Sequence, residues 1–135
     1  MFALSVIRRH FKESLIAQTS KGPVEYTLSG CGPVVLHCHG TSSNCFSTAE
    51  IKPLVDAGFS VLTPSRPVYG RIPLSTGKTA AQAAEALAAL LDCLQVQACA
   101  VVAVSGGGPT GVAMTALYPQ RVTRLVLVEA VTWCE

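Results

Sequence analysis

Apolar and polar positions along this chain switch repeatedly between a period of two and a period of about 3.6. SLIAQTS (14–20) and VEYTLSG (24–30) flank Lys21-Gly22-Pro23 and predict a β-hairpin. PVVLHC (33–38) is a short unbroken apolar run, as expected of a strand buried on both faces. Ser47 with Glu50 three residues later predicts a capping box, opening a helix that stops at Gly58. FSVLTP (59–64) predicts the next strand. Thr79 with Gln82 makes a second capping box, and Leu87, Leu90, Leu91 and Leu94 fall on one face of the helix behind it. ACAVVAV (98–104) leads into a glycine-rich turn and a short helix ending at Tyr118-Pro119, and TRLVLVEA (123–130) predicts a last strand. After the hairpin, strand and helix alternate. The pattern is that of an α/β fold with a mostly parallel sheet and helices on both faces. No repeat or linker interrupts it, so residues 1–135 read as one domain.

Composition narrows the class. Half of the 135 residues are hydrophobic and only 13% are charged, against about 25% in an average soluble domain. Part of such a surface expects a cover. A net charge of +2 without a basic, aromatic-interleaved stripe gives no footprint for nucleic acid. No run of about 18 apolar residues is present for a membrane span. Arg8, Arg9 and Lys12 follow the first apolar stretch instead of preceding it, the wrong order for a secretory signal; the acid-free, Arg-rich start leaves an organellar transit segment as the alternative. Six cysteines without a CxxC pair indicate reduced thiols and a cytoplasmic location.

The glycine turn VSGGGPTG (104–111) admits two chemistries. Gly106, Gly108 and Gly111 satisfy G-x-G-x-x-G between a strand and a helix, and Glu129 stands where a ribose-binding acid would be expected, which describes a dinucleotide site. The motif comes late in the chain, however, and Pro109 removes one phosphate-facing donor. Alternatively, Ala103-Val104-Ser105-Gly106-Gly107 fits the nucleophile elbow G-x-S-x-G with alanine in the first place. Ser105 would then project its hydroxyl from a strained bend, with the Gly106 N–H aimed at a developing oxyanion. Upstream, HCHGTSSN ends a strand at His39-Gly40 and offers Thr41 as a second backbone donor.

HGT (39–41), SRPVYGRIPLSTGKT (65–79), VSGGGPT (104–110) and YPQRVTRLVLVEAVT (118–132) together resemble the α/β-hydrolase superfamily, in particular its single-domain, esterase-like serine hydrolases. The resemblance runs from about residue 24 to the end of the sequence. It implies Ser105 as nucleophile, an oxyanion hole from the Thr41 and Gly106 backbone, a small ester-like substrate and no cofactor. Ala103, and Val68 where such a loop carries glycine, depart from the pattern.

A larger departure follows. In such hydrolases the acid and then the histidine come after the serine. Here His10, His37 and His39 all precede Ser105, and the only acids after it are Glu129 and Glu135. Without a base a serine hydroxyl stays protonated at neutral pH. The sequence therefore reads as the N-terminal half of the fold, weakly active or inactive alone, whether as a truncated product, a split gene or a decayed copy. Glu129 is a weak candidate acid, with an ordinary strand-end carboxylate as the plainer account. A second function class is a non-catalytic half-domain that self-associates or pairs with another chain through its last, apolar strand. His37 and His39, with Cys31 and Cys45, fit no common zinc spacing, and His39 reads as a structural residue of the HG turn. STGKT (75–79) lacks the first glycine of a P-loop, since Ile72 stands there.

Overall fold

In the computed structural model, described over residues 13–132, the expected alternation appears as a six-stranded sheet. The basic N-terminal segment read above for targeting lies outside the described residues, as do Cys134 and Glu135. Strands β1 (Leu15–Thr19) and β2 (Gly22–Ser29) form the antiparallel hairpin, with Thr19 opposite Gly22. β3 (Val34–Cys38), β4 (Ser60–Pro64), β5 (Cys99–Val104) and β6 (Val122–Val128) run parallel to one another, and β2 joins β4 antiparallel, in the order β1-β2-β4-β3-β5-β6. Their connecting helices are α1 (Thr48–Asp56), α2 (Ala80–Cys93) and α3 (Gly108–Leu117).

Helices cover both faces of the sheet. Leu36, Cys38, Leu62, Val101 and Ala103 point to one face and bury with Ala84, Leu87, Leu90 and Leu91 of α2 and Met114 of α3. The leucine stripe is thus supplemented by alanines, which are strong helix formers and let α2 approach the sheet closely. His37, at the alternate register position, faces α1. The unbroken run of β3 is explained by its place between β4 and β5.

The two expected capping boxes fare differently. Thr79 Oγ1 accepts from Gln82 N–H at 3.1 Å, as a cap should. Ser47 makes no side-chain cap: its hydroxyl pairs with Ser43 Oγ at 2.6 Å, and Glu50 turns inward to His37. A tertiary partner has taken the residue that the local pattern assigned to the helix end. STGKT is a connecting loop, where Leu74–Thr76 make one 3-10 turn and Thr76 Oγ1 bonds the Pro23 carbonyl at 3.2 Å.

α3 lies close on β5. A Cβ on Gly111 would stand 2.6 Å from Ala103 Cβ, inside ordinary contact distance. The absent side chain at 111 therefore makes room for the alanine that replaces the first glycine of the elbow pattern. Gly111→Ala should lower unfolding stability by about 1–3 kcal/mol through overpacking. Adding Ala103→Gly should recover most of that loss in chemical denaturation; two independent, additive losses would count against this pairing.

Candidate functional site

Ser105 closes β5 and opens the turn into α3. Its φ is +46°, whereas Val104 before it is extended (φ −110°) and Gly107 after it is already helical (φ −78°). The left-handed conformation costs a serine on the order of 1–2 kcal/mol and persists only where surrounding structure fixes it. Three contacts do so. Val131 N–H donates to the Ser105 carbonyl at 2.9 Å, and Arg66 Nη1 donates to the Gly106 carbonyl at 2.9 Å. Gly107 presses against the end of β3, where a Cβ would lie 2.7 Å from the His39 carbonyl oxygen and closer still to that of Cys38. Only glycine allows that approach. The serine side chain stays exposed at the carboxyl end of the sheet.

The loop after β3 wraps this bend. A Cβ on Gly40 would sit 3.4 Å from Ser105 Cβ and 3.8 Å from Glu50 Oε1. Exposed Thr41 lies against Gly106, where a Cβ would come within 3.3 Å of Thr41 N and 3.4 Å of Arg66 Nη2. Thr41, Ser105 and Gly106 are thus brought together. Glu129 is exposed at φ +45°, directly after Val128, which pairs with Val104; it follows β6 at the same sheet end where Ser105 follows β5. The three glycines of the dinucleotide pattern are occupied within the chain, since Gly106 faces Thr41, Gly108 the Val131 carbonyl, and Gly111 Ala103.

Both described histidines are buried and engaged. His39 Nδ1 donates to the Gly40 carbonyl at 2.8 Å, and Nε2 accepts from Arg66 N–H at 2.9 Å, which fixes a neutral tautomer. Burial first, then the nearby Arg66 charge, pushes the His39 pKa down to about 4 against the hydrogen bond to Gly40. His37 Nε2 stands 2.9 Å from Glu50 Oε2 and Nδ1 3.3 Å from Thr63 Oγ1. Among the described residues no group of three His, Cys, Asp or Glu side chains is arranged to hold a metal.

Residues that sequence reasoning did not single out complete the surroundings. Arg66 stacks over the Tyr69 ring at 4.7 Å, and Tyr69 meets His39 edge-on at 5.3 Å. The 65–71 loop hangs on Glu25, a buried β2 carboxylate. Its Oε1 accepts from Ser14 Oγ (2.7 Å) and Arg71 Nε (2.8 Å), and its Oε2 from Arg71 N–H (2.8 Å) and Ser65 Oγ (3.3 Å). Burial raises the Glu25 pKa, but the hydrogen bonds from Ser14 and Arg71 outweigh it and hold the carboxyl below its usual range. Val68 in this loop has φ +68°, so a valine occupies the left-handed position where the family pattern has glycine.

The profile of the alpha/beta hydrolase fold family matches residues 33–135. A Bacillus subtilis (strain 168) protein named as the hydrolase YcgS is 42% identical over 111 residues, covering 82% of this chain and 39% of its own length. A 2-hydroxy-6-oxononadienedioate/2-hydroxy-6-oxononatrienedioate hydrolase of Pseudomonas putida is 34% identical over 98 residues, covering 70% of this chain and 34% of its own. Among solved structures, an alpha/beta hydrolase fold protein from Nakamurella multipartita superposes with a TM-score of 0.84 at 36% identity, over 88% of this chain and 42% of that one. The chain spans about two fifths of the length of such proteins. Among the described residues no helix is long and apolar enough to cross a membrane.

These protonation states set an acid dependence. The folded state holds His39 neutral from its ordinary 6.5 down to about 4, so the unfolded chain binds more protons in that window and stability falls with pH, by about 3 kcal/mol over the whole of it. Glu25 acts below that, since a depressed carboxyl contributes stability above its unfolded pKa that is lost as pH falls through the folded one. Denaturation at pH 7, 5.5 and 4 should show the upper slope shrinking in His39→Gln and persisting in Glu25→Gln. Equal slopes in wild type and His39→Gln would contradict the assigned neutral state.

Proposed function

Because the chain belongs to the alpha/beta hydrolase fold family, we propose that it serves the hydrolysis of a carboxylic ester or related acyl bond, with Ser105 as nucleophile. The observation that carries this reading is an exposed serine at φ +46° between β5 and α3, beside Thr41 and Gly106. A serine so placed attacks the carbonyl carbon, and the Thr41 and Gly106 N–H groups hold the tetrahedral oxygen as its charge develops. The Pseudomonas putida relative's name describes a hydrolase of 6-oxo dioates, compounds that carry a ketone carbonyl. The reading asks for no cofactor, and five free thiols among the described residues suit a reducing, cytoplasmic setting.

Among the described residues the base is the missing element. Both His39 nitrogens are committed to backbone partners, and buried His37 faces Glu50 and Thr63. Neither is placed to take the Ser105 proton. In this reading an imidazole outside the described residues fills that role, with Glu129 retained as the weak candidate for its orienting acid.

A second reading rests on β6. This edge strand exposes Val126, Leu127 and Val128 at 47%, 40% and 42%, apolar on both faces and, among the described residues, unpaired along one side. Such an edge suits pairing with a second copy or another chain. Sedimentation should then show association that Val126→Lys disperses; a wild-type monomer at all concentrations removes this reading.

A fluorophosphonate probe should label the chain at Ser105 and leave Ser105→Ala unlabelled. Added imidazole should raise p-nitrophenyl acetate turnover in wild type well above its effect on Ser105→Ala. Equal imidazole effects in both proteins would defeat the serine reading.

A further inference from the structure

We infer that His39 and Arg66 form one continuous clamp that sets the spacing of the two backbone segments flanking Ser105, which makes Arg66 a positioning residue; this rests on the serine reading above. The clamp is a chain of three directional bonds. His39 Nδ1 donates to Gly40 O at 2.8 Å, Arg66 N–H donates to His39 Nε2 at 2.9 Å, and Arg66 Nη1 donates to Gly106 O at 2.9 Å. It joins the loops that follow β3, β4 and β5. Gly40 immediately precedes Thr41, and Gly106 itself carries the second amide. The separation of the two proposed oxyanion donors is thereby fixed through residue 66 beyond the end of β4, which flanks β3 on the side away from β5.

The orientation of each part is over-determined. A neutral His39 has one donor and one acceptor nitrogen, and each is used in the sense the clamp needs. The guanidinium plane rests on Tyr69, whose ring edge also buttresses His39. The Glu25 carboxylate anchors the far end of the same loop through Arg71.

Arg66 is half-buried, with part of its guanidinium sealed from solvent. Its Nε and Nη2 are buried without a hydrogen-bond partner among the described residues, although a guanidinium offers five donors. What Arg66 supplies is reach: a rigid fork that touches a carbonyl 40 positions along the chain. Preorganised donors act only if their spacing is held before charge develops.

The test removes one end of the clamp and observes the other. In Arg66→Met, 15N order parameters at residues 40–42 should fall with those at 105–107, from about 0.85 to below about 0.6. The amide of residue 66 should exchange about tenfold faster or more, while the amides of Leu36 and Val101 keep their wild-type rates. Fluorophosphonate labelling should slow at least about tenfold, and Arg66→Lys, which keeps a donor, should restore part of it. If Arg66→Met does not fold, Arg66→Gln carries the same readouts. Unchanged order at 40–42 in a folded variant overturns the clamp even where Ser105→Ala abolishes labelling. Loosened loops with wild-type labelling overturn the positioning role. Labelling that survives Ser105→Ala instead brings down the serine reading, and the positioning role with it.

Discussion

The carboxylate of Glu25 is almost sealed from solvent on β2, and four donors converge on its two oxygens. A buried charge is tolerated only when its lone pairs are met in this way. Three of those donors come from Ser65 and Arg71, at the two ends of one loop, so satisfying the charge also fixes that loop's course. Gly70 is part of the same bargain: at φ +57° it passes so close to Glu25 that a side chain there would collide with the carboxylate. Arg66, Tyr69 and the backbone donor to His39 are all carried by this loop. The geometry around Ser105 therefore depends on an acid three strands away that has no part in the chemistry.

Much of the architecture was legible because it follows from local period. β3 read as a buried strand and β5 as a strand from their unbroken apolar runs, and α2 from its leucine spacing and its Thr79 cap. The bend at Ser105 was legible for the same reason, since small residues in fixed positions around a serine between strand and helix leave few alternatives. The structural role of His39 also followed from its place in an HG turn.

What escaped sequence reasoning depends on partners far apart in the chain. Glu50 looked like the second half of a capping box and instead meets His37 on a neighbouring strand. Glu25 and Arg71 are 46 positions apart and Arg66 and Gly106 are 40 apart; no local pattern announces either pairing. An acid in the middle of an otherwise buried strand was the one available signal for Glu25. Gly111 was counted toward a nucleotide fingerprint because its role, making room for Ala103, appears only when strand and helix are laid together.

Val68 stands 62% exposed in a left-handed backbone conformation that β-branched side chains disfavour strongly. Nothing solvent-facing rewards the isopropyl group for that distortion. The polypeptide thus carries a small reserve of unspent stability on its surface, which one change to glycine would release without touching the interior. A chain that keeps such a reserve can absorb a mildly harmful substitution elsewhere once it is drawn upon.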